Sequence, residues 1–352
     1  MMQNLICLDF GSQNIHMVCG RYNKGNIEVR NAASMRIPDG VFKDGKIDDF
    51  TKMKDCVRAI ISENRIKEKN AVATIQSTSI ITRDIVLPAA DRQKLDGMVK
   101  YEIEQYLPIV ATEYVIEYSV IGETVEGGVK KYKVQVAAMP KNMVENFLNL
   151  LKESGLKPTA LDIHSNAVSK LFTQNTAINV ANLDSKQTSA LIDLGYRSIN
   201  IHILANGKLA FSRIINLGAR EIDYEISVAC NMTLEEAEEK KIRDAELDPK
   251  GYMEIISDPF NDVIRAQVDT WLSEIQKIFQ YYISRMTGNT IDRIYLFGGS
   301  SQLKGLKKYI ELSLNLRTDT IDSLNIVKLG RNIKDFNPRT YINALGGLIR
   351  YE

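Results

Sequence analysis

The sequence predicts an α/β fold of two related lobes that carry an inserted α+β subdomain and a mostly helical subdomain. Two observations lead to this prediction. A strand, a glycine turn, a second strand, a tight turn and a third strand occur in this order twice along the 352 residues. Between the two copies, periodic apolar residues predict a helix, a hairpin and a further helix.

The first copy lies near the start of the chain, and each of its strands is rich in apolar and β-branched residues. An aspartate, Asp9, stands at the end of its first strand, next to Gly11. In order, the predicted parts are the strand 5–10, the turn Gly11-Ser12-Gln13-Asn14, the strand 15–19, a turn at 23–25 and the strand 27–30.

The second copy repeats this order in the other half of the chain, with Asp193 and Gly195 in the places of Asp9 and Gly11. Asn206-Gly207 between its last two strands is the residue pair that a two-residue hairpin favours. Its predicted strands are 190–194, 198–204 and 209–213, and a later apolar strand, 291–297, runs into Gly298-Gly299-Ser300-Ser301.

Helical periodicity and turn residues predict the remaining elements. An inserted unit consists of a helix over 91–107 before Pro108, a hairpin of 114–121 and 131–138 around Gly127-Gly128, and a helix over 142–154. Thr233 and Glu236 form a capping box that starts a charged helix ending near residues 247–249. A stripe of apolar residues from Ile264 to Tyr282 indicates a long helix that faces the core.

Charge and composition exclude several classes of protein. The 45 Lys and Arg against 44 Asp and Glu give a net charge of +1, which argues against a protein that binds nucleic acid over its whole surface. No run approaches the ~18 apolar residues of a membrane span, and the first residues do not resemble a signal peptide, so a cytoplasmic protein is expected. The four cysteines are scattered, which predicts reduced thiols.

Three glycine turns that follow apolar strands are the candidate site. Glycine leaves the peptide N–H groups open to phosphate oxygens, and a carboxylate close to a polyphosphate requires a cation such as Mg²⁺ between them. Asp9 and Asp193 therefore predict a metal–nucleotide cleft shared by the two lobes. A single Asp-x-Gly turn is more often a capped hairpin turn, but the repetition and the Gly298-Gly299 turn favour nucleotide.

Other motifs give weaker evidence of function. The chain has neither a Walker loop nor a dinucleotide fingerprint. The three histidines, His16, His164 and His202, lie far apart in sequence and do not predict a metal site or a nucleophile pair. The acidic and basic run at 235–241 is most simply a solvated helix face, with a role for Glu239 or Lys240 near an adenine as the alternative.

Several longer motifs resemble the actin-like ATPase superfamily, and within it the PilM family of type IV pilus assembly proteins, which is related to FtsA. The resemblance extends over nearly the whole chain, and the Glu-x-x-Gln-Tyr-hydrophobic-Pro pattern is its most specific part. The matching segments are Lys100 to Pro108, Val136 to Lys141, Glu153 to Asp162, Ile294 to Leu306 and Asn343 to Arg350.

This resemblance implies an actin-like, duplicated ribonuclease H-like fold with ATP and Mg²⁺ between the lobes. It implies a first lobe at 1–82 and 158–186, an insert of the type called 1C at 83–157, a second lobe at 187–212 and 288–352, and a mostly helical subdomain at 213–287. Asp9 and Asp193 would hold the metal and serve any catalysis. The nucleotide would contact Gly11, Ser12, Gln13, Asn14, Gly195, Tyr196, Glu239, Lys240, Gly298, Gly299 and Ser300.

The same resemblance implies a scaffold rather than a fast enzyme. The expected partner is the N-terminal cytoplasmic peptide of PilN, in a groove between the first lobe and the insert, with pilus assembly ATPases as further partners. Membrane association would be indirect, at the inner face of the cytoplasmic membrane. Asn14 replaces the usual hydroxyl residue of the first turn, which predicts slow hydrolysis. The alternatives are a division scaffold of the FtsA type and a small-molecule kinase of the superfamily.

Overall fold

The computed structural model describes residues 4–106, 110–173, 176–179, 181–182, 186–247, 259–285, 288–331, 333 and 335–350. The strands within these residues are β1 (Leu5–Phe10), β2 (Asn14–Asn23), β3 (Asn26–Arg36), β4 (Phe42–Lys43), β5 (Lys46–Ile47), β6 (Asn70–Ile75), β7 (Ile81–Pro88), β8 (Tyr114–Glu126), β9 (Val129–Pro140), β10 (Lys157–Ile163), β11 (Ala177–Ile178), β12 (Ala181–Asn182), β13 (Ser189–Leu194), β14 (Ile199–Ala205), β15 (Lys208–Ile215), β16 (Arg293–Phe297), β17 (Arg317–Thr320) and β18 (Val327–Leu329). The helices are α1 (Phe50–Glu63), α2 (Arg92–Tyr106), α3 (Lys141–Glu153), α4 (His164–Leu171), α5 (Ala219–Cys230), α6 (Leu234–Asp244), α7 (Pro259–Ser284), α8 (Leu306–Leu314) and α9 (Pro338–Leu348).

The two predicted meanders form the centres of two sheets with matching topology. The first sheet has the order β10-β6-β1-β2-β3-β18, and the second has the order β15-β14-β13-β16-β17. In each, the strand that ends at the aspartate pairs antiparallel with the next strand and parallel with a later one, β6 or β16. The predicted duplication is therefore confirmed at the level of strand pairing.

The inserted unit is a three-stranded sheet, β7-β9-β8, with α2 on one face. The predicted hairpin is present as β8 and β9, while β7 was not predicted. Its inner residues Ile85 and Leu87 pack against the buried side of α2. The last two residues of the predicted helix motif, Leu107 and Pro108, lie outside the described residues.

Helix α3 follows the insert in sequence but packs with the first lobe. Its residues Phe147 and Leu150 lie in the same core as Ile6 and Phe10 of β1, and the rings of Phe10 and Phe147 have centroids 5.0 Å apart. An apolar helix face packs against whichever core it can reach, which periodicity does not reveal. Judged by its packing, α3 belongs to the first lobe and the insert ends before it. The predicted subdomain boundaries as a whole are not tested by this contact and remain a prediction.

The helical subdomain follows its predicted pattern. Thr233 caps α6 through its side chain while the Glu236 carboxylate accepts a bond from the Thr233 amide at 2.8 Å. Helix α7 buries one stripe that includes Ile264, Trp271 and Ile275 in the core of the second lobe, as predicted. The charged helix ends at Asp244, and residues 248 and 249 of its predicted end lie outside the described part of the chain.

No helix in the described part of the chain combines the length and the apolar character that crossing a membrane requires.

A third core joins the two lobes. It contains Cys7 and Val72 of the first sheet together with Leu191 and Tyr295 of the second. Helices α4 and α9 pack against each other there, and α9 also covers β1, β2 and β6. Helix α9, whose residues the predicted division assigns to the second lobe, thus lies on the first sheet as well.

Replacing Gly346 by alanine is expected to destabilise the fold. A Cβ on Gly346 of α9 would lie closer to the carbonyl oxygen of Ala167 in α4 than any real non-bonded contact. The two helices would have to move apart, at a cost of about 1–3 kcal/mol or more. Urea unfolding measures this loss. Gly97→Ala on the exposed side of α2 is the matched control, with nothing within 4 Å of the added Cβ and an expected gain of about 0.5–1 kcal/mol. Equal effects of the two changes would contradict the close helix contact.

Candidate functional site

The two aspartate turns meet in the cleft between the lobes. The first turn is closed by a bond from the Gly11 amide to the Asn14 carbonyl, and the second by a bond from the Gly195 amide to the Ser198 carbonyl, both at 3.0 Å. A Cβ would lie 2.9 Å from the Asn14 oxygen at Gly11 and 2.7 Å from the Ser198 oxygen at Gly195, so both tight turns require glycine. Sequence repetition is matched by the same local geometry.

A direct hydrogen bond joins the turns. The Arg197 amide donates to the Ser12 hydroxyl oxygen at 3.2 Å. Residues 12 and 197 belong to different lobes, so this bond spans the base of the cleft. The two predicted turns therefore lie next to each other, and their binding of a metal and nucleotide remains a prediction.

The third turn, at Gly298, lies next to the second turn. Gly298 has a φ of 84°, a left-handed conformation that glycine favours, and a Cβ there would collide with Oδ1 of Asp193. The Ser300 hydroxyl lies 3.4 Å from the Gly195 carbonyl oxygen. Gly299 begins a one-turn helix, Gly299–Gln302, and has open space where a side chain would be. The third turn is thus adjacent to the second, which in turn contacts the first.

Asp9 is buried at the end of β1, with 3% of its surface exposed. Its Oδ1 accepts hydrogen bonds from the Thr74 hydroxyl at 3.0 Å and from Nε2 of His164 at 2.7 Å. Burial alone would raise the pKa of this carboxyl, but the imidazolium of His164 more than offsets it, so the pKa is lowered. Asp9 is accordingly ionised, and neither bond uses Oδ2.

Asp193 occupies the equivalent place in the second lobe, with 7% of its surface exposed. Its Oδ2 accepts a bond from the Asn343 amide at 3.1 Å. Burial raises the pKa of this carboxyl, and the charge of Asp9 adds to the increase, while His164 and the Asn343 bond only partly offset it. The two carboxylates repel each other, which is the situation that a bound cation relieves.

His164 is the site residue that sequence reasoning missed. It is buried at the first position of α4, directly after β10, and its Nδ1 has no hydrogen-bond partner. Burial lowers the pKa of the imidazole, but Asp9 outweighs this and Asp193 adds to it, so the pKa is raised. The signal available in sequence was its place after a strand parallel to β1, since the carboxyl ends of neighbouring parallel strands meet at one edge of a sheet.

The residues present suit a water-mediated magnesium ion rather than a protein-enclosed metal. Among the described residues, no group of three or more His, Cys, Asp or Glu side chains could hold a metal ion. Mg²⁺ is usually bound through one or two carboxylates, with phosphate oxygens and waters as its other ligands. Two carboxylates beside three glycine turns provide this arrangement. Buried polar atoms without partners, His164 Nδ1 and Asn343 Oδ1, also lie on the side chains that hold these carboxylates.

Helix α6 reaches across the mouth of the cleft. The Glu238 carboxylate accepts from the Gln13 side-chain amide at 2.8 Å and pairs with Arg36 at 2.8 Å. The predicted adenine candidates are elsewhere on this helix: Glu239 is exposed, and Lys240 pairs with Asp244 at 3.1 Å. Their role remains a prediction.

Replacing Glu238 by alanine is expected to loosen the mouth of the cleft. The change removes two contacts between α6 and the first lobe, so amide exchange at residues 11–14 and 36–38 should accelerate in hydrogen-exchange mass spectrometry. Arg36 is half exposed, so the loss of global stability should stay below about 1 kcal/mol. Glu239→Ala, at the neighbouring exposed position, should leave the exchange unchanged. Unaltered exchange in Glu238→Ala would show that the bridge is not formed in solution.

The remaining predicted residues line the same turns. Asn14 is the first residue of β2, and Tyr196 is half buried, its carbonyl accepting from the Arg220 amide at 2.8 Å. Burial raises the pKa of the Tyr196 phenol. The ring of Tyr196 also lies beside the Arg197 guanidinium, 5.9 Å from the ring centroid. Tyr196 thus adds an aromatic face to the second turn.

A sequence comparison decides the family. The family of type IV pilus assembly protein PilM matches residues 7–346. This chain belongs to the PilM family. The sequence-based prediction of a PilM-family protein is confirmed.

Solved structures show the same fold for this PilM-family chain. The PilM-PilN type IV pilus biogenesis complex is similar with a TM-score of 0.82 and 19% identity, covering 99% of this chain and 98% of that chain. EutJ from Carboxydothermus hydrogenoformans has a TM-score of 0.57 and 14% identity over 98% of this chain and 89% of that chain. MreB5 of Spiroplasma citri bound to ADP has a TM-score of 0.52 and 12% identity over 98% and 94%. The predicted actin-like ATPase fold is confirmed.

Proposed function

We propose that this PilM-family chain is an ATP-binding scaffold of the type IV pilus assembly machinery, with Mg-ATP in the cleft between its lobes. The observation that carries the proposal is the hydrogen bond between Arg197 and Ser12, since it brings the two aspartate turns together. The similar structure of MreB5 with bound ADP supports the nucleotide.

Each part of the site has a role in this proposal. Asp9 and Asp193 hold Mg²⁺ through water, and the metal neutralises phosphate charge. The backbone of the first two turns binds the phosphates, while the Gly298 turn contacts the ribose and the α-phosphate. Glu239 and Lys240 remain the candidates for the adenine.

Hydrolysis is expected to be slow at most. A general base must be free to take a proton from the attacking water. His164 is the buried imidazole bonded to Asp9, and this carboxylate raises its pKa, which disfavours a role as the base. Nucleotide then acts mainly as a conformational ligand that biases closure of the lobes.

The proposed partner is the N-terminal cytoplasmic peptide of PilN. The PilM-PilN complex is structurally similar to this chain over nearly its full length, which supports the same partner here. A cleft of about 1770 Å³ between the first lobe, the insert and the second lobe has room for such a segment. PilN would bring the chain to the inner face of the cytoplasmic membrane, and pilus assembly ATPases are further candidate partners.

Calorimetry and a pull-down test the proposal together. Mg-ATP should bind the wild-type chain, and the N-terminal peptide of PilN should retain it on beads. If nucleotide biases lobe closure, peptide and ATP affinities must change by the same factor, since linkage is reciprocal. Absence of Mg-ATP binding would refute the nucleotide role, and equal retention with and without ATP would refute the coupling.

A further inference from the structure

The wall of the large cleft on the second lobe contains an open strand edge. Strand β15 is the outermost strand of its sheet, and among the described residues no other strand pairs with its free edge. Residues 208–213 line the cleft without interruption, as expected where backbone as well as side chains face it. An exposed edge of this kind accepts an additional extended segment through main-chain hydrogen bonds.

Helix α7 adds a stripe of basic and aromatic side chains beside this edge. Lys277 and Tyr281 of α7 and Arg285, which directly follows the helix, are spaced by four residues and line the cleft. The Tyr281 ring lies 5.7 Å from that of Phe211 in β15 and 5.8 Å from the Arg285 guanidinium. Tyrosine and arginine are the side chains that most often dominate binding energy at protein interfaces.

This wall is positively charged. Its charged cleft-lining side chains are all basic and belong to Lys208, Arg213, Lys277 and Arg285. Lys277 pairs with Glu274 at 2.6 Å, and Lys208 reaches the Ile121 carbonyl of the insert at 3.1 Å. Arg213 and Arg285 are both exposed, and they have no ion pair among the described residues. Two guanidinium groups therefore remain for an occupant.

The opposite wall differs in charge. It is formed by the insert sheet, where Asp84 pairs with Lys133 at 3.6 Å and Glu117 is a further acidic residue. The insert wall thus carries both signs, since Arg83 and Lys133 line the cleft beside Asp84 and Glu117, while β15 and the end of α7 contribute only basic charged side chains. An occupant that lies against β15 and α7 must be acidic to match them.

We propose that the edge of β15 and the adjoining stripe of α7 bind an extended acidic segment of a partner protein as an added strand. Its backbone would pair with residues 208–213, and its carboxylates would meet Arg213 and Arg285. A concave cleft with an open strand edge suits a peptide chain rather than a flat membrane surface. The inference goes beyond the proposed function and does not depend on nucleotide. The peptide proposed above would lie on the opposite side of the same cleft, against the first lobe and the insert.

A designed peptide tests the inference on the whole protein. The probe is a fluorescein-labelled twelve-residue peptide of alternating glutamate and valine, followed by fluorescence anisotropy at low salt. Saturable binding is expected, weakened by roughly tenfold or more in Arg213→Glu and in Arg285→Glu. Arg30→Glu, an exposed arginine of β3 outside the cleft, is the matched control and should bind as the wild type does.

Two further probes separate strand pairing from simple charge attraction. The same peptide with N-methyl groups at alternate residues keeps its charge but loses half of its main-chain donors, so it should bind poorly. The unmodified peptide should slow amide exchange in residues 208–215 of the protein. The inference would be overturned if the N-methylated peptide bound as tightly as the unmodified peptide. It would also be overturned if Arg213→Glu and Arg285→Glu both bound the peptide as tightly as the wild-type protein does. The inference would also be overturned if the peptide showed no saturable binding to a protein that still binds Mg-ATP. That outcome would leave the proposed nucleotide role intact.

Discussion

Asp9→Ala is expected to weaken Mg-ATP binding well beyond about tenfold, which corresponds to more than about 1.4 kcal/mol. Asp9 is ionised and buried, and one of its carboxylate oxygens takes no part in the bonds to Thr74 and His164. In the proposed site this carboxylate orders the waters of Mg²⁺. Its loss leaves Asp193 as the only one of the two carboxylates to hold the Mg²⁺ that neutralises the triphosphate charge.

Isothermal titration calorimetry with and without Mg²⁺ measures this effect. Asp55→Ala, at an exposed aspartate of α1, is the control and should bind normally. Because the alanine variant leaves His164 without its carboxylate partner, Asp9→Asn is a second variant that retains an acceptor for Thr74. Unchanged affinity in a folded variant of either kind would refute the metal role.

Asp162→Ala is expected to cost about 3–5 kcal/mol of unfolding free energy. The Asp162 carboxylate is 4% exposed and accepts from Lys170 at 2.5 Å, from Asn166 at 2.7 Å and from Arg350 at 3.0 Å. Lys170 is itself largely buried and, among the described residues, would keep the Ile349 carbonyl, at 3.0 Å, as its one hydrogen-bond partner. A buried ammonium without a carboxylate is the main source of the expected loss.

Urea unfolding measures this loss of stability, and the removal of an exposed ion pair serves as the reference. Asp244→Ala removes an exposed partner of Lys240 and Arg243 on α6 and should change stability by about 1 kcal/mol or less. A similar small loss in Asp162→Ala would show that Lys170 finds other partners, and that the cluster does not hold the C-terminal residues to α4.

Local patterns predicted most of the elements. The strands around Asp9 and Asp193, the hairpin of the insert and the stripe of α7 follow from periodicity and turn residues, which act over a few positions. Strand β7 was missed because Arg83 interrupts its inner apolar face. The guanidinium of Arg83 lies 5.2 Å from the centroid of the Tyr106 ring, so the strand keeps this charge at the edge of the small core.

Long-range packing could not be predicted from these patterns. The sequence shows that α3 has an apolar face, but not that α3 and α9 both pack against the first sheet. His164 and its partner Asp9 are 155 positions apart, and Glu238 meets Gln13 across 225. The glycine turns were predictable because they carry a local conformational requirement. The side chains that complete the site depend on how the lobes meet.

The end of β10 lies between the large cleft and the aspartate turns. Asp162 lines the large cleft, whereas His164, two residues later, touches Asp9. Asp162 and Ile163 are held in register with Thr74 and Ile75 of β6. A partner that displaced this strand end from the cleft side would therefore also displace the residues beside Asp9.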